Sequence, residues 1–327
     1  FMTTMAIGTM IAISSNSWMS MWMGLEINLL SIIPLMSNVK NKMESEAAMK
    51  YFITQAMAST MFLLAIILML NNKELMTTFK TNSMIMDLAI LTKMGAAPFH
   101  FWFPEVMEGL SWMNSTIMLT WQKIAPMVIF MYTNKSLIFM TTIIILSMTI
   151  GGLMGINQTS LRKILAYSSI NHIGWMMGVL LTNQSTWLTY FLIYSIMTIN
   201  ITMMTKTMNI FHVNQLINSM NSSKTIKIMF SLNFLSMGGI PPFIGFYPKW
   251  ITINSMIQEN LHTLTLIMII TTLISLIFYM RITFNSSIVT TSESTNISSK
   301  SNKNMLMASN FITLSSLIAC PLMINFI

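Results

Sequence analysis

Charge is what this sequence has least of. Of its 327 residues only 8% are Asp, Glu, Lys or Arg, while 54% are hydrophobic and the mean hydropathy is +0.66. A soluble globular chain carries about 25% charged residues. This one cannot coat a water-facing surface, which excludes a soluble enzyme, and its apolar content excludes disorder. A single cysteine, Cys320, excludes a disulfide framework, a cysteine-ligated iron–sulfur cluster and a thiolate zinc site. Arginine is scarce too, with only Arg162 and Arg281. No basic run is interleaved with aromatics, so the net charge of +8 is not a nucleic-acid signal. Glycine-rich phosphate loops and metal-spaced His/acid sets are also missing. The opening stretch has no basic region ahead of its apolar run, so no cleaved signal peptide is expected.

What the sequence does have is a succession of apolar runs. A membrane-spanning helix needs roughly 20 apolar residues. Eleven segments meet or approach that length: 1–17, 18–37, 47–70, 83–107, 111–132, 137–156, 159–181, 186–211, 225–258, 263–284 and 305–327. The expected fold is an all-α polytopic membrane protein of about eleven transmembrane helices, forming a single domain over residues 1–327. The ninth run is too long for one plain span and is interrupted by Gly238-Gly239-Ile240-Pro241-Pro242. Residues 285–304 form the only long polar loop. The loops place eleven cations on the side of the N-terminus, Lys40, Lys42 and Lys50 among them, against Lys73, Lys80 and Lys135 opposite. The positive-inside rule then sets the N-terminus on the cytoplasmic or equivalent side and the C-terminus across the membrane. The 39 methionines are scattered through every segment, which reads as core and lipid-facing filler rather than a metal-binding surface.

Four ionisable residues stand deep within apolar runs: Glu26, Lys93, Lys123 and Lys249. Each charge at a bilayer centre costs about 2.5–3.5 kcal/mol even on a lenient insertion scale. An ion pair that locks helices together would account for Glu26 and one lysine, but one acid cannot neutralise three lysines. Lys93 precedes the break Gly95-Ala96-Ala97-Pro98, and Lys249 follows Pro241-Pro242-Phe243-Ile244-Gly245-Phe246-Tyr247-Pro248. These breaks fall on the fourth and ninth segments, an odd offset that inverts topology, so inverted five-helix repeats with two broken helices are predicted. By the same offset Glu26 corresponds to His172. Lys93 is expected near a half-helix C-terminus, where the helix dipole favours a cation, and Lys249 near an N-terminus, where it does not. Lys123 is placed mid-span, with Pro126 unable to donate to the Gln122 carbonyl. A series of proton-exchanging groups with unequal proton affinities reads as a proton pathway rather than a substrate pocket. His100 and His172 read as hydrogen-bonded core residues in preference to a bis-histidine haem.

These residues belong to longer motifs. Residues 22–28 (WMGLEIN), 93–104 (KMGAAPFHFWFP), 120–126 (TWQKIAP), 157–175 (NQTSLRKILAYSSINHIGW) and 238–250 (GGIPPFIGFYPKW) resemble the antiporter-like membrane subunits of NADH:ubiquinone oxidoreductase, respiratory complex I. The resemblance runs over nearly the whole chain. It implies that Glu26 and Lys93 form a carboxylate–lysine pair, that Lys123 is the central lysine connecting two repeats, and that Lys249 is the lysine of the second broken helix. His172 matches a position on the central hydrophilic axis, more weakly. It also implies a subunit of the proton-translocating NADH:ubiquinone reductase, multi-pass in the mitochondrial inner membrane, with the N-terminus in the matrix and the C-terminus in the intermembrane space. No cofactor or metal is then expected on this chain, because NADH, FMN, iron–sulfur clusters and ubiquinone bind other subunits. The implied partners are other membrane-arm subunits, neighbouring antiporter-like chains included, and membrane lipids, with Lys40 and Lys42 suited to cardiolipin phosphates. Full-length members have fourteen helices, and the eleven expected here lack the first three, as in other animal versions. The methionine-rich, arginine-poor composition resembles that of AT-rich animal mitochondrial genomes such as those of insects. Two other readings remain open: a stand-alone cation/proton antiporter, and a structural spacer whose charges serve assembly.

Overall fold

In hydrocarbon every backbone N–H and C=O must be satisfied within the protein, which favours helices. The computed structural model describes residues 1–38, 41–71, 76–133, 136–220, 224–241 and 243–288, and among these all regular structure is helical, apart from one isolated bridge between Ser160 and His212. Segment 305–327, Lys40, Lys73, Lys135, Pro242 and Cys320 lie outside the described residues, as does most of the 285–304 loop. Contacts divide the chain into two compact units, Phe1–Phe139 and Met140–Ile327.

The first unit opens with α1 (Met2–Ser14) and α2 (Trp18–Met36), joined by the short Ser-rich turn expected between the first two segments. They pack backbone to backbone: a Cβ on Gly24 would lie 2.6 Å from the Ala12 nitrogen, the close approach that small residues permit between membrane helices. Then follow α3 (Lys42–Asn71), the fourth segment as α4 (Met76–Met94) and α5 (Trp102–Gly109), and the fifth as α6 (Trp112–Leu119) and α7 (Trp121–Met131). The interruption of the fifth segment at Thr120 was not expected. There the Thr120 hydroxyl bonds back to the Thr116 carbonyl at 2.7 Å, a side-chain competition that bends helices, and the backbone turns to φ −112°, ψ −72°. Lys123 therefore sits in the first turn of a new helix rather than in mid-span.

The second unit contains α8 (Leu137–Ile156), α9 (Leu161–Thr182), α10 (Gln184–Thr207), a short α11 (Val213–Met220) that apolar run length does not reveal, α12 (Lys224–Gly238), α13 (Phe246–Gln258) and α14 (His262–Ile288). Among the described residues six helices, α2, α3, α8, α9, α10 and α14, are long and apolar enough to cross a membrane. Helix α9 is the core of its unit, with every residue from Ile164 to Leu180 buried. Gly151 of α8 makes room for it, since a Cβ there would meet the Tyr167 carbonyl oxygen and the Asn171 nitrogen at 2.9 Å. Gly151→Val should therefore destabilise this unit by about 1–3 kcal/mol, read as a lowered unfolding temperature in detergent.

Both expected breaks turn on a left-handed glycine. Gly95 has φ +73°, and the Gly95 and Ala96 N–H groups donate to the Thr92 and Leu91 carbonyls at 3.2 and 3.1 Å, a Schellman end to α4. Gly239 has φ +75° and donates to the Ser236 carbonyl at 3.0 Å, closing α12. Asn209 and Asn260 end α10 and α13 in the same left-handed conformation.

Candidate functional site

In the first unit Lys93 occupies the last turn of α4, as expected, and is only 7% exposed. It faces a cavity of about 20 Å³ whose polar lining is Asn28, Tyr51, Gln55, Lys93 and Gln122, with Leu25, Leu29 and Pro126 completing the wall. That volume suits one water molecule. Glu26 of α2 is half-buried, and its Oε2 is shielded from solvent without a hydrogen-bond partner among the described residues. Among the described residues no direct ion pair joins Glu26 to Lys93. Lys123 is 2% exposed, its Nζ 5.9 Å from the centroid of Phe103, on the helix just beyond the first break.

Next to both lysines lies a side-chain network that a search restricted to charges overlooks. Asn28 Nδ2 donates to Gln122 Oε1, and Gln122 Nε2 donates back to Asn28 Oδ1, each at 3.2 Å. Tyr51 Oη donates to the same Gln122 Oε1 at 3.3 Å. The amide pair ties α2 two residues beyond Glu26 to α7 one residue before Lys123. Gln55 is 4% exposed, and its Nε2 is buried without a partner among the described residues. Each of these is a polar residue inside an apolar run, and that was the available signal. Asp87 of α4, 1% exposed, was legible in the same way between Met86 and Leu88. It adds a buried acid to the single one read from the sequence.

In the second unit Lys249 occupies the first turn of α13, which is the helix N-terminus expected for it. Its ammonium, however, reaches back across the break and donates to the Gly238 carbonyl at the end of α12, at 2.7 Å. The charge thus rests at a helix C-terminus, where the dipole favours a cation, and the expected unfavourable placement is corrected. The bare Cα of Gly239 makes the space, because a Cβ there would meet Lys249 Nζ at 2.8 Å. On the other side Lys249 Nζ lies 6.0 Å from the Trp175 ring centroid. Trp175 is three residues beyond His172 on α9, so both lie on neighbouring parts of one helix face. His172 is 3% exposed, and its Nδ1 lies 2.9 Å from Tyr190 Oη. His100, in the first unit, is hydrogen-bonded through Nδ1 to the Pro98 carbonyl at 3.2 Å.

The exposed charges behave differently. Lys50 bridges Glu46 and Glu105, each at 3.0 Å, on a solvent-accessible face. Exposed pairs contribute little, so Lys50→Met should leave assembly and activity unchanged in the same assays that report on the buried lysines. Among the described residues no group of three or more His, Cys, Asp or Glu side chains could hold a metal ion.

The transmembrane model of the NADH:quinone oxidoreductase/Mrp antiporter family matches residues 15–275. NADH-ubiquinone oxidoreductase chain 2 of Anopheles gambiae is 49% identical over 87% of this chain and 84% of its own length. The corresponding protein of Locusta migratoria is 47% identical over 93% of this chain and 89% of its own. Among solved structures, a chain of respiratory complex I from Thermus thermophilus with bound aureothin has a TM-score of 0.86 at 21% identity, covering 97% of this chain and 77% of that one. A chain of an Mrp complex from a Dietzia species has a TM-score of 0.80 at 14% identity, covering 98% and 74% respectively. At these identities the two structures establish a shared all-helical, antiporter-like fold.

Proposed function

This chain belongs to the NADH:quinone oxidoreductase/Mrp antiporter transmembrane family and stands within it among the NADH-ubiquinone oxidoreductase chain 2 proteins, and from that premise we propose that it is a core membrane-arm subunit of respiratory complex I that carries protons across the mitochondrial inner membrane. The observation that supports a proton-carrying role is the burial of three lysines beside helix interruptions, Lys93, Lys123 and Lys249 being 7%, 2% and 7% exposed. Each charge buried at mid-membrane is expensive, so the three lysines are costly to keep for structure alone.

On this reading the chain has about eleven spans, arranged as inverted five-helix repeats with two broken helices, with the N-terminus in the matrix. NADH oxidation and ubiquinone reduction take place on other subunits, which hold the flavin, the iron–sulfur clusters and the quinone. Their turnover shifts the Glu26 carboxylate relative to Lys93. Moving the acid away removes the charge that holds the lysine's proton, and the proton passes on towards Lys123 and then Lys249, with His172 on the same axis. The Asn28–Gln122 amide pair links the helix of Glu26 to the helix of Lys123 during that step. The chain's contacts are neighbouring antiporter-like subunits and lipids, and cations such as Lys42 suit the phosphates of cardiolipin.

A second reading, a stand-alone cation/proton antiporter, draws on the likeness to the Mrp chain. Native electrophoresis of detergent-solubilised mitochondria separates the two. Co-migration of the chain with the band stained for NADH dehydrogenase activity is expected. Recovery only in a small inactive band would favour the antiporter, and cation-dependent proton exchange would then be measured.

A further inference from the structure

At both helix breaks a side chain from the following half-helix caps the end of the preceding one. At the second break that side chain is Lys249, whose ammonium donates to the Gly238 carbonyl at 2.7 Å. At the first it is Trp102, the opening residue of α5, whose Nε1–H donates to the Thr92 carbonyl in the last turn of α4 at 3.0 Å. Chemistry fixes the direction of this bond, since an indole N–H only donates and a carbonyl only accepts. The Thr92 oxygen also receives the Gly95 N–H at 3.2 Å, so both of its lone pairs are used. Two rings hold the indole in place: Tyr51, with its centroid 5.8 Å away, and Phe103, at 5.4 Å. The residue after Thr92 is Lys93. Carbonyls in the last turn of a helix have no intrahelical partners, and such turns fray unless they are capped. At the first break a neutral indole supplies the cap, which leaves Lys93 to face the cavity it shares with Asn28, Tyr51, Gln55 and Gln122.

We propose that Trp102 is a positioning residue for Lys93: its indole N–H fastens the last turn of α4 across the break and so keeps the lysine facing that cavity. This rests on the proton-carrying reading above and adds to it a residue from outside the charged set. Without the indole N–H, the Thr92 carbonyl keeps only its bond to Gly95 and the turn frays. Lys93 then faces the cavity in only part of the population.

The test uses the intact complex in sealed vesicles, reading NADH-driven proton uptake per assembled complex. Trp102→Phe keeps an aromatic ring and removes the N–H. Trp102→His gives up ring area but keeps a nitrogen at the same position of a five-membered ring. Uptake is expected to fall about three- to tenfold in Trp102→Phe, the scale of one hydrogen bond, and to stay closer to wild type in Trp102→His. A tryptophan that serves packing alone predicts the opposite order, because phenylalanine retains more apolar area. Asn114→Leu is the matched control. Asn114 Nδ2 donates to the Leu35 carbonyl at 2.9 Å, in the last turn of α2, which carries no lysine. Its loss should lower the melting temperature and leave uptake unchanged. Wild-type uptake in Trp102→Phe, a histidine variant no better than the phenylalanine one, or an equal loss in Asn114→Leu overturns the inference. Failure of both Trp102 variants to assemble also overturns it, by making Trp102 a folding determinant. Lys93→Met, assayed alongside, separates the two levels. If it lowers uptake while Trp102→Phe does not, only this inference fails. If it leaves uptake unchanged, the proton-carrying reading fails at Lys93 and takes the inference with it.

Discussion

Lys123→Met should slow proton transfer through this chain by about 10²–10⁴-fold, the range for loss of a positioned acid–base group, while the complex still assembles. Methionine matches the length of the lysine stem and fits an apolar interior. Lys123 is 2% exposed, and removing a charge that costs about 2.5–3.5 kcal/mol at mid-membrane should not destabilise the fold. What the variant loses is a group that can take up and release a proton. Lys123→Arg sharpens the result, because a guanidinium keeps the charge but does not deprotonate at any physiological pH. A relay role predicts that both variants assemble and neither pumps normally. If the charge serves assembly instead, arginine should restore what methionine loses. A normal proton-to-electron ratio in Lys123→Met would remove Lys123 from the mechanism.

Gly245→Ala is expected to have the largest effect on stability, at or above about 3 kcal/mol, the upper part of the range for overpacking. Gly245 opens α13 with ordinary helical angles, φ −66° and ψ −15°, so conformational freedom is not the issue. The constraint is contact: an added methyl would overlap the carbonyl oxygen of Ser236. That carbonyl accepts the Gly239 N–H and closes α12, and with Ser236 and Gly245 both buried the backbone has little room to shift. Alanine would push the two half-helices apart and displace the carbonyl of Gly238 from Lys249. Loss of the assembled complex, or a steep fall in its melting temperature, is the expected readout. Gly152→Ala is the matched control. Its added methyl would meet nothing nearer than Ile274 Cγ2 at 3.4 Å, an ordinary contact, and alanine favours helix over glycine by about 0.8–1.0 kcal/mol. Equal effects from the two substitutions would show that the half-helix contact is not what holds the break together.

Much of the architecture could be read before any coordinates. Run length and scarcity of charge are properties of composition, and they led to spanning helices because lipid leaves the backbone few alternatives. The breaks at Gly95 and Gly239 were legible because glycine tolerates the positive φ that ends a helix and proline will not continue one. Lys93, Lys123 and Lys249 were conspicuous because a lysine among apolar neighbours is expensive. The interruption at Thr120 was not, since threonine is common in these helices and bends one only when its hydroxyl competes for a carbonyl. Asp87, Asn28, Tyr51, Gln55 and Gln122 carried a weaker signal, being polar but isolated in apolar runs.

The sequence by itself determined that this chain lives in a membrane, where the two glycine breaks fall and which lysines are buried, because those follow from local composition and backbone preference. Only the tertiary structure decided what the buried groups touch. The Asn28–Gln122 pair joins residues 94 positions apart, Tyr190 meets His172 across two helices, and the Lys249 ammonium turns back to Gly238 instead of following its own helix. Each of these contacts depends on helix rotation and on rotamers selected by packing, and no periodicity along the chain encodes them.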